Sequence, residues 1–134
     1  MTAATADRNT EMRDAELVAV PVAGGQLVRI GVIVAINPNG YALEGKTEAD
    51  LTYFGRSEQY VDNTAGADGA VTVRVRRGKA FKWANAADDQ VTQASLGKPC
   101  FIEDNQTVAK TNGGNTRAQA GIVLGIDATG VWVL

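Results

Sequence analysis

The sequence predicts an all-β fold, a small β-barrel or sandwich with an extended N-terminal arm and at most one short helix. Three observations predict it. From Leu17 onward apolar and polar residues tend to alternate with a period of two, the repeat of a half-buried strand. Clusters of glycine, proline, asparagine and aspartate interrupt that pattern about every ten residues, as strand-and-turn folds require. The 134 residues are 45% hydrophobic and 21% charged, which suits one globular domain better than two. The expected division is an arm over 1–16 and a single β-domain over 17–134.

Within the first sixteen residues the apolar groups are Met1, Met12 and small alanines. A short helix over Thr10–Leu17 is conceivable with Thr10 as its cap, but no apolar stripe gives it a surface to dock against. Fully extended, such an arm spans at most about 55 Å, long enough to reach a neighbouring subunit. Leu17–Val22 reads as a strand, and Pro21 favours an edge position because it lacks an amide donor. After Gly24-Gly25, the run Leu27–Ile36 reads as a second, longer strand with Gly31 as a bulge or close-packing point. Asn37-Pro38-Asn39-Gly40 is a strong turn signal, and Tyr41-Ala42-Leu43 returns from it.

Leu51–Arg56 and Gln59–Val61 look like short strand pieces, and Asn63–Gly69 is a loop. The cleanest alternation follows: Val71, Val73 and Val75 share one face, while Thr72, Arg74 and Arg76 share the other. Arg77-Gly78-Lys79 turns the chain and Ala80–Trp83 returns, so 71–83 reads as a β-hairpin. Asp88–Leu96 carries a helical hint that Gly97 and Pro99 end. Cys100–Ile102 with Thr107–Ala109, and Ala118–Ile126 with Val131–Leu134, read as a closing meander.

The composition removes much chemistry. There is no histidine, so the commonest general base and metal ligand are both missing. The single cysteine, Cys100, makes neither an intrachain disulfide nor a thiolate zinc site, and it reads as a small core residue. Two serines without a histidine make no Ser-His-Asp triad. Asp88-Asp89 and Glu103-Asp104 lack calcium-loop spacing and read as turn chemistry. Tyr53, Phe54 and Tyr60 read as core or interface packing. No catalytic centre, cofactor or metal is expected. The polar N-terminus resembles no signal peptide, and no apolar run reaches the about 20 residues of a membrane helix, so a soluble protein made in the cytoplasm is expected.

Arg74, Arg76, Arg77, Lys79 and Lys82 form a cationic run with Phe81 and Trp83 beside it. It is a nucleic-acid platform, a solvated face, or a surface that pairs with acidic residues of another subunit. The net charge of −2 argues against a chain built to grip nucleic acid.

The phrases GAVTVRVRRGKAFKW (69–83), VTQASLGKPCFIEDNQTVAKTNGGNTRAQAGIVLGID (91–127) and GVWV (130–133) resemble the cement, or head-decoration, proteins of tailed bacteriophages. The resemblance implies a small β-rich virion protein on the outer capsid surface. It also implies contact with the major capsid protein, assembly as a homotrimer (with a dimer as the alternative) and no catalytic motif. The residues expected at capsid or subunit contacts are Asp7, Arg8, Glu11, Arg13 and Asp14 in the arm, and Arg74, Arg76 and Lys82 in the hairpin. The competing expectation is a nucleic-acid- or ligand-binding β-barrel that uses the basic hairpin 71–83.

Overall fold

A central strand buried on both faces joins the two halves of the molecule. In a computed structural model, which describes residues 2–134, the chain forms twelve strands and one 3-10 turn at Gln93–Ser95. The strands are β1 (Leu17–Pro21), β2 (Gln26–Val28), β3 (Ile33–Ile36), β4 (Ala42–Glu44), β5 (Thr52–Ser57) and β6 (Val61–Asn63). They continue with β7 (Thr72–Arg76), β8 (Phe81–Asn85), β9 (Pro99–Ile102), β10 (Thr107–Ala109), β11 (Gln119–Asp127) and β12 (Gly130–Val133). The fold is all-β, as the period-two pattern predicts.

A five-stranded sheet runs β1-β7-β5-β3-β4, and β10-β8-β12-β11-β9 closes into a barrel. The sheet curls, so that Val22, just beyond β1, bridges Ala42 of β4 in parallel. The two-stranded ribbon β2-β6 lies beside it. One apolar cluster gathers Val20, Val22, Val28, Val34, Ala42, Val73 and Val75. The second combines barrel residues such as Trp83, Cys100, Val108, Val123 and Val131 with Ile33, Ala35 and Leu43 from the sheet. Strand β3 therefore feeds both cores, with Val34 in one and its neighbours Ile33 and Ala35 in the other. All three are wholly buried, because successive side chains of a strand point to opposite faces. A hydrogen bond reinforces the junction: the Trp83 indole N–H of β8 donates to the Tyr53 hydroxyl of β5 at 3.0 Å.

The structure corrects several local expectations. The long strand over Leu27–Ile36 is two strands. Gly31 takes φ +80°, a left-handed conformation that costs glycine little and turns the chain instead of bulging it. Its N–H donates to the Ser57 carbonyl at 2.9 Å, while β2 leaves to pair with β6 and β3 with β4 and β5. Residues 71–83 do not form a hairpin. β7 pairs with β1 and β5, whereas β8 pairs with β12 and β10. Gly78, at φ +72°, carries the chain from sheet to barrel. The helical hint over Asp88–Leu96 shrinks to the 3-10 turn, and the arm helix over Thr10–Leu17 does not form. Residues 2–16 are exposed and without regular structure, consistent with a short segment that has no apolar face to pack.

Other expectations are met. Pro21 ends an edge strand. Asn37–Gly40 turns β3 into β4, with the Gly40 N–H donating to the Asn37 carbonyl at 2.9 Å. Cys100 is fully buried.

Two substitutions test the junction. Ile33→Ala is expected to lower unfolding stability by about 2–5 kcal/mol, since the space between two cores has little freedom to collapse. Tyr53→Phe is expected to cost about 1–3 kcal/mol, because it leaves the buried Trp83 donor without its acceptor. Urea midpoints measure both, and a Tyr53→Phe variant as stable as wild type would show that the bond is dispensable.

Candidate docking face

The register of β8 against β12 sorts side chains into core and surface. Val131 stands opposite Trp83 and Val133 opposite Phe81, all four buried. Between them Trp132 pairs with Lys82, and both point outward. The Lys82 ammonium lies 5.4 Å from the centre of the Trp132 ring. It also reaches Thr129 Oγ1 at 2.5 Å and Asp127 at 3.6 Å. Asp127 is held down to about 2, first by the Thr129 backbone N–H, then by the Thr129 hydroxyl, with Lys82 contributing less.

Across the junction, Arg56 of β5 stands directly opposite Arg76 of β7. Like charges in register repel, and Glu58 offsets that repulsion. Its Oε1 accepts from Arg56 Nη2 at 2.5 Å and from Arg76 Nε at 3.3 Å. Those bonds, the Arg56 one foremost, hold the Glu58 carboxyl below its ordinary value. The Arg56 guanidinium lies 4.8 Å from the centre of the Phe81 ring, and Arg77 covers Phe54 at 4.1 Å. Such contacts fix a cation's position and leave its outer donors free.

Phe81 lines two open grooves. The first, about 230 Å³, lies among Tyr53, Phe54, Arg77, Lys79 and Leu134. The second, about 410 Å³, lies among Gly31, Arg56, Lys82, Trp83 and Trp132. Arg56, Arg76, Arg77, Lys79 and Lys82 thus surround or support the grooves, against the carboxylates Glu16, Glu58 and Asp127. The side chains of this face carry a net +2, against −2 for the side chains of the whole chain. The arm leaves the β-body at this rim. The Glu16 carbonyl accepts the Arg77 N–H at 2.8 Å, and its carboxylate lies 3.3 Å from Lys79.

Of the contact residues expected from sequence, Arg76 and Lys82 belong to this face. Arg74 is exposed farther along β7, with its backbone N–H bonded to the Gln59 side chain. Asp7, Arg8, Glu11, Arg13 and Asp14 are exposed along the arm. Hydrogen bonds there are local among the described residues: Arg8 donates to Thr10, and Asp14 accepts from the Glu16 N–H. Arg56, Trp132 and Glu58 escaped the sequence reading. The alternation Val131, Trp132, Val133 did signal an outward Trp132, and Arg56-Ser57-Glu58 at i, i+2 signalled a same-face ion pair. Tyr60 is exposed and not core.

Asp89 and Glu103 prove to be more than turn formers. Arg117 joins them at 3.0 and 3.3 Å, and Asp89 also accepts from the Thr111 hydroxyl at 2.6 Å. Among the described residues no three metal-ligating side chains cluster. Burial pushes the Tyr53 hydroxyl and the Cys100 thiol up to about 12, so both stay protonated at neutral pH. No helix among the described residues is long and apolar enough to cross a membrane. Comparison with protein-family models, curated proteins and solved structures finds no match.

The Glu58 bridge makes stability depend on pH. Its folded pKa lies below the ordinary 4.5, so its contribution is complete above that pH and lost as pH falls through the folded value. Glu58→Gln is expected to be less stable than wild type at neutral pH, and the gap is expected to close under acid. Urea midpoints across that range measure it, and a gap independent of pH would refute the bridge.

Proposed function

We propose that the protein is a non-enzymatic structural component of a tailed-phage virion. In this reading it is made in the host cytoplasm, binds the major capsid protein on the outer shell and cements neighbouring capsomers as a homotrimer. One observation carries the reading: an exposed arm leaves the β-body at the rim of a cationic face framed by aromatic rings. The likeness of residues 69–83 and 91–133 to head-decoration proteins supports the choice of partner.

The mechanism is a brace. The β-body offers a rigid footprint whose cations already lie on rings, so little side-chain freedom is lost on docking. The arm orders on a neighbouring subunit, with Arg8 and Arg13 meeting carboxylates and Asp7, Glu11 and Asp14 meeting cations. Each exposed pair is worth only about 0.2–1 kcal/mol. Stabilisation therefore comes from several contacts per copy and many copies per shell, all of which must break before a joint opens. The nucleic-acid alternative has less support. Cations already cover one side of the Phe54, Phe81 and Trp132 rings, and base stacking needs open ring faces.

Deleting residues 1–15 retains Glu16 and its bonds to the Arg77–Lys79 turn. The truncated protein is expected to keep its β-type circular dichroism while its affinity for purified, undecorated shells falls at least about tenfold, a loss of some 1.4 kcal/mol. Co-sedimentation measures it. Unchanged affinity would remove the arm from the mechanism, and absence of shell binding by the full chain would overturn the function.

A further inference from the structure

The two grooves differ in a way that specifies what they would hold. The first is walled mainly by Tyr53, Phe54, Phe81 and the exposed Leu134, with Arg77 and Lys79 at its edge. The second is lined by Trp132 and Trp83 together with Arg56 and Lys82. Each therefore sets aromatic rings beside cations, and Phe81 lines both. We infer that this face takes an extended peptide segment of the partner in which apolar side chains are flanked by carboxylates. The inference deepens the capsid-binding reading and rests on the same face.

Three observations converge on that chemistry. The face is positive on a negative chain, so an acidic segment is drawn to it while the remainder of the surface is less attractive to acid. Lys79, Lys82, Arg56 and Arg76 have internal carboxylate partners at 2.5–3.6 Å. Arg77 has none among the described residues. Its guanidinium is held over Phe54, fixed in place with its charge unmatched, which makes it the strongest single anchor for a carboxylate. The grooves are also open to solvent, which suits side chains of an extended segment better than an enclosed small molecule.

A nucleic acid would meet the same cations but find the rings already covered on one side, and the chain's overall charge would oppose it. A second copy of this chain also carries an acid–apolar–acid stretch, Glu11-Met12-Arg13-Asp14, in which Met12 is 99% exposed. The internal Arg13 dilutes its negative charge, so a more acidic partner segment is the better match.

The test uses the full chain and the synthetic peptide acetyl-Glu-Glu-Leu-Leu-Glu-Glu-amide. Its glutamine counterpart and a single-stranded oligothymidylate serve as comparators. Calorimetry and tryptophan fluorescence at low ionic strength read binding. The glutamate peptide is expected to bind at least about tenfold more tightly than either comparator. Arg77→Glu is expected to weaken it about tenfold, and Trp132→Ala to weaken it and abolish most of the fluorescence response. Lys110→Glu makes the same charge change at an exposed position outside the grooves, and it should leave binding nearly unchanged. Circular dichroism confirms that each variant is folded. Equal binding of the two peptides, tighter binding of the oligothymidylate, or an equal effect of Lys110→Glu would each overturn the inference. Peptide binding that appears only after deletion of 1–15 would assign the face to an arm, this chain's own or another copy's, and overturn it as well. Shell co-sedimentation in parallel separates the two claims. If Arg77→Glu binds shells like wild type, this inference falls while the capsid role stands. If the peptide binds but shells do not, the capsid role falls and the chemistry of the face stands.

Discussion

The structure depends on one strand being buried from both sides. In β3 the side chains of Ile33, Val34 and Ala35 are wholly inaccessible, and the pleat sends Val34 to one core and its two neighbours to the other. Two modest apolar clusters thereby become parts of one packed body. A polar side chain at any of these positions would have to leave water for a site without a partner. The Trp83–Tyr53 hydrogen bond completes the junction, satisfying two polar groups that would otherwise weaken it.

The same alternation that fills the core builds the surface. Because Phe81 and Trp83 turn inward, Lys82 turns outward, and the β12 register brings Trp132 beside it. Because Val73 and Val75 fill the sheet's core, Arg76 meets Arg56 on the other face, and Glu58 holds the two together. The cationic face is thus tied to the packing beneath it. In the brace proposed above, the body would set where the protein sits, and the exposed arm at the rim of the face would extend its reach.

At another position a single arginine organises loops far apart in sequence. Arg117 reaches Asp89 in the segment after β8 and Glu103 just beyond β9, while Asp89 also accepts the Thr111 N–H and hydroxyl. Of the acid pairs read as turn chemistry, Asp89 and Glu103 also pair with this side chain, while Asp104 makes a local turn bond to the Gln106 N–H. The clamp ties the barrel's loops to one another.

The sequence by itself determined what is local. Period-two alternation at Val71–Arg76 determined which side chains face inward, and Asn37-Pro38-Asn39-Gly40 determined a turn. These follow from φ preferences and side-chain periodicity, which act over a few residues. Only the tertiary structure decided which strands pair. Gly31 and Gly78 read equally well as a bulge and a hairpin turn, yet each sends the chain to a different partner, because neighbouring strands supply hydrogen bonds and burial from far along the sequence. Lys82 was therefore legible as an outward cation. Its place beside Trp132, and that of Arg56 against Phe81, arose only when β8 found β12 and the barrel closed against the sheet.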